Sequence, residues 1–438
     1  MTTALPTSGD LRTMAFSGIS IHEVLCTQTF GGFYYEDITS LHEKSVPEED
    51  RYVTRSQQEG FRYLREIAET LSVGLVHDHH VAWGDCVGVA HGGKAGRRHV
   101  LRHGPAKKIV EEVVAPWLKR VPISSLKAFD RDWKAFEFGQ RDDFDPALTY
   151  GLTQAVLGLL AAFMGSPKAL FRVIAKEWDL PQTDLEVLPL QGSLGNNRIE
   201  NAEKMIIRRL AALPHSRVDD IESQLGLEGE KLLAYVQWLK EHIRRVDDPT
   251  YTPTVHLDVH GAVGRIFNQK VDQIVDYLML LQDTLGPLPL RMESVALADS
   301  VDDQIEIYSQ IKNELVRRQS PVKLVADEWA NNLQDIQKFV DRGCVDMVHV
   351  KCPDVGSVAD IVNSILYCKQ GGISVLLGGS SIETAISTRA TMHIAMVTRP
   401  DVVLMKPGMG VDEAYMICQG EMARIAAESR LAVPVQGE

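Results

Sequence analysis

The sequence has few cysteines and lacks the short motifs of disulfide-rich, zinc-binding and nucleotide-binding proteins. Its 438 residues include six cysteines, and no two of them form a CxxC pair. We therefore expect reduced thiols, most of them in the core of an intracellular protein. No GxGxxG follows a first strand and no GxxxxGK[ST] is present, so nucleotide-binding folds lack their usual support.

Cations, signal segments and long apolar runs are also scarce. Lys and Arg number 46 against 59 Asp and Glu, a formal net charge of −13. This balance argues against a nucleic-acid partner, because such binding depends on clustered cations. The N-terminus lacks the basic and then apolar regions of a secretory signal, and the longest apolar stretch, residues 155–164, is too short to span a bilayer. These absences predict a soluble, cytoplasmic protein with no membrane partner.

The first part of the chain mixes short strands with helices. Residues 73–76 and 81–83 predict a β-hairpin whose turn, residues 77–80, holds three histidines and an aspartate. We expect an exposed turn there rather than a metal site, because adjacent side chains diverge in a turn. Helical runs follow at 104–119 and 150–164. The pattern predicts an N-terminal α+β capping domain over residues 1–180.

From residue 181 the pattern changes to short apolar strands that alternate with amphipathic helices. Residues 230–245 and 301–318 each place apolar side chains on one helical face and charges on the other. This alternation is typical of a parallel sheet, and the number of units favours a closed α/β barrel over an open doubly wound sheet. We predict the barrel over residues 181–438. The predicted strands are 187–190, 255–259, 290–293, 322–327, 347–351, 374–377 and 402–405.

Three successive predicted strands end in a carboxylate. Asp258, Glu293 and Asp327 lie 35 and 34 residues apart, which is one β/α unit each. Because catalytic groups of barrel enzymes lie at the C-terminal ends of strands, we expect the three side chains at one mouth of the barrel. Oxygen ligands on separate rigid strands suit Mg²⁺. Any one of these acids alone is more simply a helix cap or an ion-pair partner, and the regular triple is what favours a metal site.

The next predicted strand supplies a lysine. His349 and Lys351 share parity on strand 347–351, so both face one side, and Val348 and Val350 face the helices on the other. A lysine inside a barrel has two interpretations. It is a structural salt bridge to an inward carboxylate, or it is a base whose pKa is lowered by a neighbouring dication.

The order of three acids and then a lysine resembles the enolase superfamily, and specifically the methylaspartate ammonia-lyase family. The resemblance covers nearly the whole chain and implies an enolase-like modified TIM barrel with an N-terminal capping domain. A lysine or histidine base with Mg²⁺ is the known pattern of that superfamily. The segments that carry the resemblance are 32–35, 213–215, 256–261, 324–329, 350–354, 378–384 and 406–413.

The resemblance implies a role for each matching residue. Asp258, Glu293 and Asp327 would hold Mg²⁺, and Lys351 would remove the C3 proton of the (S)-configured substrate. The sequence around His215 is typical of a loop or a helix cap. The resemblance instead implies that His215 lies on the opposite face, either as a contact for the metal-bound carboxylate or as the base for the other epimer. Loss of ammonia would give an unsaturated dicarboxylate such as mesaconate. The family also implies amino-acid degradation, potassium as an activator, and a homodimer or larger symmetric assembly.

Several predicted substrate-binding positions depart from the glutamines of the family. His349 stands where the family has one glutamine, and Ser193 where it has another, with Gln191 nearby as a replacement. Ser380 and Ser381 replace a Thr-Cys pair. A serine presents one short hydroxyl, whereas an amide presents a donor and an acceptor in fixed geometry. These changes predict an altered substrate, a related amino acid with a different C3 or C4 substituent.

Two further segments carry weaker signals. Ala90 replaces another family glutamine, with His91 beside it, and residues 92–98 form a basic, glycine-containing loop. We expect a solvated turn at 92–98, and the alternative is a lid over an anionic substrate. Cys352 follows the predicted base but faces the other way, so we expect a core residue.

The leading hypothesis is a Mg²⁺-dependent carbon–nitrogen lyase that acts on 3-methylaspartate or a close analogue, a small amino-dicarboxylate. A racemase or dehydratase of the same superfamily is the second hypothesis, although residues 378–381 lack the lysine or histidine that usually faces the base. A non-catalytic dicarboxylate-binding relative is disfavoured by the retention of Lys351 with all three acids. A zinc site at His256, Asp258 and His260 is disfavoured because carboxylates on other strands suit a harder ion.

Overall fold

The computed structural model describes residues 18–37, 40, 46–89, 94–140, 144–166, 168–194, 197–216, 218, 220–406 and 410–431. In this part of the chain, a three-stranded antiparallel sheet and its helices are followed by a closed eight-stranded parallel barrel. The predicted fold class, a parallel β/α barrel preceded by an α+β cap, is confirmed.

The cap is built on a sheet in which β1 (Glu23–Glu36), β2 (Arg65–His77) and β3 (His80–Cys86) lie in chain order. The predicted hairpin is confirmed, since His77 pairs with His80 across the turn. The apolar pattern does not predict β1, because the register shifts between Phe30 and Tyr34 and interrupts the alternation that marks a strand. A short 3₁₀ turn, Glu48–Asp50, lies between β1 and β2.

The helices of the cap surround one long apolar helix. Asp145 caps this helix by accepting a hydrogen bond from the Ala147 backbone at 2.8 Å. Of the helices that the structure describes, it alone is long and apolar enough to cross a bilayer, but 78% of it is buried inside the protein, as expected of a core helix. The cap helices are α1 (His103–Ile109), α2 (Ala115–Leu118), α3 (Leu126–Phe138), α4 (Pro146–Phe163) and α5 (Leu170–Trp178), with a π-helical turn, Val110–Val114, joining α1 and α2.

Eight strands close the barrel, with β11 paired to β4. Seven of them correspond to predicted strands, although the first is the two-residue β4 rather than 187–190. The pattern does not predict β5, because Pro214 lacks the amide donor typical of a central strand. The strands are β4 (Leu190–Gln191), β5 (Ala212–Ser216), β6 (Thr254–Asp258), β7 (Leu290–Glu293), β8 (Lys323–Ala326), β9 (Met347–Lys351), β10 (Ser374–Gly378) and β11 (Val402–Leu404).

Helices cover the outside of the barrel, and polar caps fix where several of them begin. Ser300, Asn332 and Ser357 each accept a hydrogen bond from a backbone amide three residues further on. The helices are α6 (Arg198–Ile207), α7 (Glu230–Arg244), α8 (Ala262–Ile266), α9 (Val271–Leu285), α10 (Val301–Arg317), α11 (Leu333–Arg342), α12 (Cys352–Val355), α13 (Val358–Gln370), α14 (Ala385–Thr398) and α15 (Val411–Glu428), with a π-helical turn at Ile221–Leu225.

The barrel interior is apolar at one end and polar at the other. A separate buried cluster that includes Val325, Met347 and Leu404 fills the N-terminal end. Side chains two residues further along a strand face the same side, and at those positions the chain has Asp327, His349 and Lys406. The polar end is therefore the C-terminal mouth, where a barrel enzyme places its chemistry.

The cap sits against this mouth. The backbone amide of Gly32 in β1 donates to the carbonyl of Glu383 at 3.0 Å, and the Thr384 hydroxyl donates to Asp85 of β3 at 2.5 Å. A Cβ on Gly31 would lie 2.0 Å from the Ile382 carbonyl oxygen, so only glycine fits there. The loop after β10 is thus covered by two strands of the cap.

Candidate active site

The structure brings the three predicted carboxylates together at the barrel mouth. Asp258 and Glu293 end β6 and β7 and pair in register, and Asp327 follows β8 directly. All three are at most 2% exposed. Buried carboxylates need compensating charge or hydrogen bonds, so the partners of each one indicate what the site is built to do.

Lys351 ends β9 and donates to the Asp327 Oδ2 atom at 2.7 Å. Burial and then the charge of Arg97 lower the pKa of Lys351, but Asp327, Asp354 and Glu328 outweigh both and raise the pKa above its usual value. Burial raises the pKa of Asp327, but Lys351 and Arg97 together hold this pKa well below its ordinary range. The protein's own groups therefore favour a charged Lys351 paired with an ionised Asp327.

Three imidazoles surround Glu293. His256 Nε2 donates to Glu293 Oε2 at 2.6 Å, His349 Nδ1 lies 2.8 Å from Oε1, and His215 Nε2 lies 3.3 Å from Oε2. Burial would raise the pKa of Glu293, but His349 and His215 hold it well below its usual value. Burial lowers the pKa of His256 to about 4, so this histidine is neutral. The pKa of His215 is instead raised by Glu293 against the effect of burial.

His215 lies in β5, where it is buried and faces the barrel interior, so the loop or helix-cap interpretation is wrong. In the closed barrel, β5 lies four strands from β9 in either direction, which places His215 across the barrel from Lys351. Its φ of 46° is in the left-handed region, as are those of His260 (43°) and Trp329 (68°). Non-glycine residues adopt this conformation at a cost and cluster at functional sites.

The five predicted substrate-binding residues are all buried near this mouth. Both polar atoms of the Gln191 side chain, Ser381 Oγ and His349 Nε2 have no hydrogen-bond partner among the described residues. Ser380 Oγ instead accepts from the backbone amide of Ile382 at 3.3 Å, and Ser193 is buried just beyond β4. Buried polar atoms without a partner are costly, so those of Gln191, Ser381 and His349 are the groups best placed to meet a ligand.

Arg97 is the main site residue that the sequence does not predict. It is buried, and it donates to Asp354 Oδ2 through Nε at 2.7 Å and to Asp327 Oδ1 through Nη2 at 3.0 Å. Asn331 donates to the carbonyl of Ala95 in the same loop at 2.6 Å. The prediction of a solvated turn at 92–98 is wrong for Arg97, which reaches from the cap into the mouth of the barrel. Ala90 and residues 91–93 lie outside the described residues.

Four further side chains near the barrel mouth are buried or paired with carboxylates. Cys352 is fully buried, and burial raises the pKa of its thiol to about 11, so the core interpretation is confirmed. His256 turns to Glu293 whereas His260 lies 2.9 Å from Asp258, so these two histidines serve different carboxylates. Two residues beyond β11, Lys406 is fully buried and pairs with Glu383 at 3.3 Å, a contact that the sequence alone does not reveal.

A capped parallel barrel with acids and a lysine at its C-terminal mouth is the architecture of the enolase superfamily, and distant structures share this fold. The dipeptide epimerase of Enterococcus faecalis matches with a TM-score of 0.60 at 15% identity over 91% of either chain. The muconate lactonizing enzyme of Pseudomonas putida matches with a TM-score of 0.56 at 15% identity, covering 76% of this chain and 80% of its own. These likenesses concern the fold alone.

Closer comparisons define the family. The family model for the methylaspartate ammonia-lyase N-terminus matches residues 19–179, and the model for the C-terminus matches residues 182–431. The chain is 36% identical to methylaspartate ammonia-lyase 2 of Carboxydothermus hydrogenoformans over 93% of its length and 98% of the relative. It is 35% identical to the Clostridium tetanomorphum enzyme with the same coverage. The chain belongs to the methylaspartate ammonia-lyase family, as the resemblance implied.

Solved structures of two relatives agree with this assignment. The β-methylaspartase of Clostridium tetanomorphum, solved as a Mg complex, has a TM-score of 0.83 and 33% identity over 93% of this chain and 98% of its own. The Citrobacter amalonaticus enzyme, which contains (2S,3S)-3-methylaspartic acid, has a TM-score of 0.87 and 34% identity over 94% and 100%.

Proposed function

We propose that this protein is a Mg²⁺-dependent carbon–nitrogen lyase that releases ammonia from 3-methylaspartate or a close 3-substituted analogue. The product is an unsaturated dicarboxylate such as mesaconate. One observation carries the proposal: Lys351, paired with Asp327, faces His215 across a barrel mouth that also holds Asp258 and Glu293. The names of the relatives support the same reaction.

Asp258, Glu293 and Asp327 would hold the metal ion. They fit a hard dication because they are buried carboxylates on adjacent rigid strands, and the Clostridium relative is a Mg complex. When bound, the dication supplies positive charge beside a substrate carboxylate, whose neighbouring C–H proton is otherwise only very weakly acidic. Potassium is also proposed as an activator.

Lys351 is the proposed base at C3, and it must be uncharged to accept a proton. Asp327 by itself favours the charged lysine, since it accepts a hydrogen bond from Nζ at 2.7 Å and raises the pKa of Lys351. A dication held by Asp327 would oppose this effect and lower the pKa of the lysine. His215, on the opposite side, either contacts the substrate carboxylate near Glu293 or accepts the proton from the other epimer. The two groups approach the substrate from opposite faces.

The small amino-dicarboxylate substrate is proposed to meet Gln191, Ser193, His349, Ser380 and Ser381. Gln191, Ser381 and His349 support this most directly, because their buried polar atoms lack partners among the described residues. Hydroxyl and imidazole groups at these positions favour a substituent at C3 or C4 that differs from the methyl group of 3-methylaspartate.

The test is a panel of 3-substituted aspartates with the full-length protein, in Mg²⁺ and in a chelator, followed by ultraviolet absorbance of the unsaturated product and by ammonia release. We expect Mg²⁺-dependent formation of both products with at least one member of the panel. Epimerisation without ammonia release would favour a racemase. Ligand binding without any turnover would favour a non-catalytic relative. Either result would overturn the proposal.

Three properties of the whole molecule are also proposed. A domain boundary near residue 180 is supported by the gap between Trp178, the last residue of α5, and Leu190, the first of β4. A homodimer or larger symmetric assembly would cover Phe30 and Ile67 of the cap sheet, which are 58% and 65% exposed. We also propose that the protein works in the cytoplasm.

A further inference from the structure

Three imidazole side chains, those of His215, His256 and His349, surround the carboxylate of Glu293, and a magnesium ligand does not require them. His215, Glu293 and His349 each offer one ligand atom, and these three atoms lie within 4.8 Å of one another in a buried cluster. The residues come from β5, β7 and β9, so no short sequence motif connects them. A hard ion such as Mg²⁺ prefers oxygen ligands and gains little from imidazoles.

We propose that His215, Glu293 and His349 form a second cation site, which takes a borderline transition-metal ion such as Zn²⁺ or Co²⁺ in preference to Mg²⁺. Two imidazoles and one carboxylate are a ligand set that these ions use in catalytic sites, with a further position left open. The site shares Glu293 with the proposed magnesium site and rests on the proposed function to that extent. Full occupation of one site therefore excludes full occupation of the other.

The surroundings of the three ligands fit an ion. His256 donates to Glu293 Oε2 at 2.6 Å and would hold this carboxylate in place, as the outer partners of metal ligands do. His215 Nε2, the nitrogen that lies 3.3 Å from Glu293 Oε2, has no hydrogen-bond partner among the described residues, so this atom is available to an ion. A tetrahedral ion at roughly 2.0–2.1 Å from each ligand atom keeps those atoms about 3.4 Å apart, so His349 Nδ1 and Glu293 Oε1, now 2.8 Å apart, would separate to admit it.

Gly378 leaves room for the imidazole of His349. A Cβ on Gly378 in β10 would lie 1.9 Å from His349 Nε2, so any side chain there would displace the imidazole. His349 lies against the backbone of β10 and still reaches Glu293 with Nδ1 at 2.8 Å. Its ring is therefore held by packing as well as by the carboxylate, which is how a ligand is preorganised.

A second group of similar composition provides a control. His22, His77 and Asp78 also bring ligand atoms within 4.8 Å, but they lie at the surface around the hairpin turn of the cap. Zn²⁺ bound there would be an adventitious surface ion. The His22→Gln substitution removes a ligand from this exposed group and leaves the buried one intact.

The experiment uses the full-length protein stripped with a chelator, without substrate. Zn²⁺ is titrated in competition with a chromophoric chelator, for the wild type and for the His349→Gln, His215→Gln, Asp258→Asn and His22→Gln variants. We expect about one tightly held Zn²⁺ per protein chain. The affinity should fall by at least roughly tenfold in His349→Gln and in His215→Gln, since removal of even an outer partner of a metal ligand has an effect of that size. Asp258→Asn and His22→Gln should leave this affinity within about threefold, since neither residue belongs to the cluster.

Cobalt provides the independent readout. Co²⁺ added to the stripped wild type should give visible absorption bands that change in position and intensity in His349→Gln, while thermal melting in chelator checks that the variant is folded. The proposal fails if His349→Gln binds Zn²⁺ as tightly as the wild type. It also fails if Asp258→Asn loses as much affinity as the histidine variants, or if His22→Gln abolishes binding. Because binding is read without turnover, an inactive but Zn²⁺-binding protein would refute the lyase assignment and not this site.

Discussion

Arg97 joins the cap to the mouth of the barrel, and its replacement by glutamine should be costly. The guanidinium side chain is 3% exposed, and its two close partners, Asp327 and Asp354, are 2% and 7% exposed. Removal of one member of a buried ion pair leaves uncompensated charge and costs about 3–5 kcal/mol. Two hydrogen bonds to charged groups, at about 1.5–3 kcal/mol each, lead to the same range. We therefore expect Arg97→Gln to lower the free energy of unfolding by about 3–5 kcal/mol.

The assay is urea unfolding followed by circular dichroism, with limited proteolysis to detect release of the cap. Arg98→Gln is the matched control, because it removes the same charge from the neighbouring, exposed position and should cost less than about 1 kcal/mol. If Arg97→Gln costs no more than Arg98→Gln, the burial and pairing of Arg97 do not stabilise the protein, which would contradict this prediction.

Other contacts lead to further expectations. Gly31→Ala would place a Cβ 2.0 Å from the Ile382 carbonyl oxygen, so thermal melting should show a clear loss of stability, whereas Gly104→Ala, with nothing within 4 Å of the new Cβ, should not. Burial raises the pKa of Glu421, but the hydrogen bond with His393 and a further one from Arg424 bring it down to about 2, from an ordinary 4.5. A depressed folded-state pKa adds stability that is fully present above the unfolded value and is lost as the pH falls through the folded one. Urea unfolding should therefore show that Glu421→Gln is destabilising at pH 7, and its difference in free energy of unfolding from the wild type should shrink below about pH 4.5. A difference that stays constant down to acid pH would contradict a stabilising role for the depressed pKa of Glu421.

The barrel was largely predictable because its signals are local. Strands β6 to β9 follow the apolar pattern closely, and their terminal carboxylates and lysine meet because parallel strands end at the same mouth. The pattern fails at β5, where Pro214 interrupts it, and at β1, where the register shift after Phe30 breaks the alternation.

The parts of the site that could not be predicted depend on long-range contacts. Arg97 is 230 residues from Asp327 in sequence, and its own neighbourhood of small and basic residues is typical of an exposed loop. The three imidazoles around Glu293 come from different strands, and only the barrel closure makes them neighbours. Sequence patterns report which side of a strand a residue faces, but not which residue faces it from the other side of the barrel.

Lys351→Met tests whether Lys351 removes the proton from C3. With Mg²⁺ and the best substrate of the 3-substituted aspartate panel, ammonia release and the ultraviolet absorbance of the product are compared between this variant and the wild type. A positioned general base contributes about 10²- to 10⁴-fold to the rate, so we expect a loss of at least that order, with melting and Mg²⁺ binding retained. A folded, Mg²⁺-binding Lys351→Met variant that turns over within about tenfold of the wild type would contradict it.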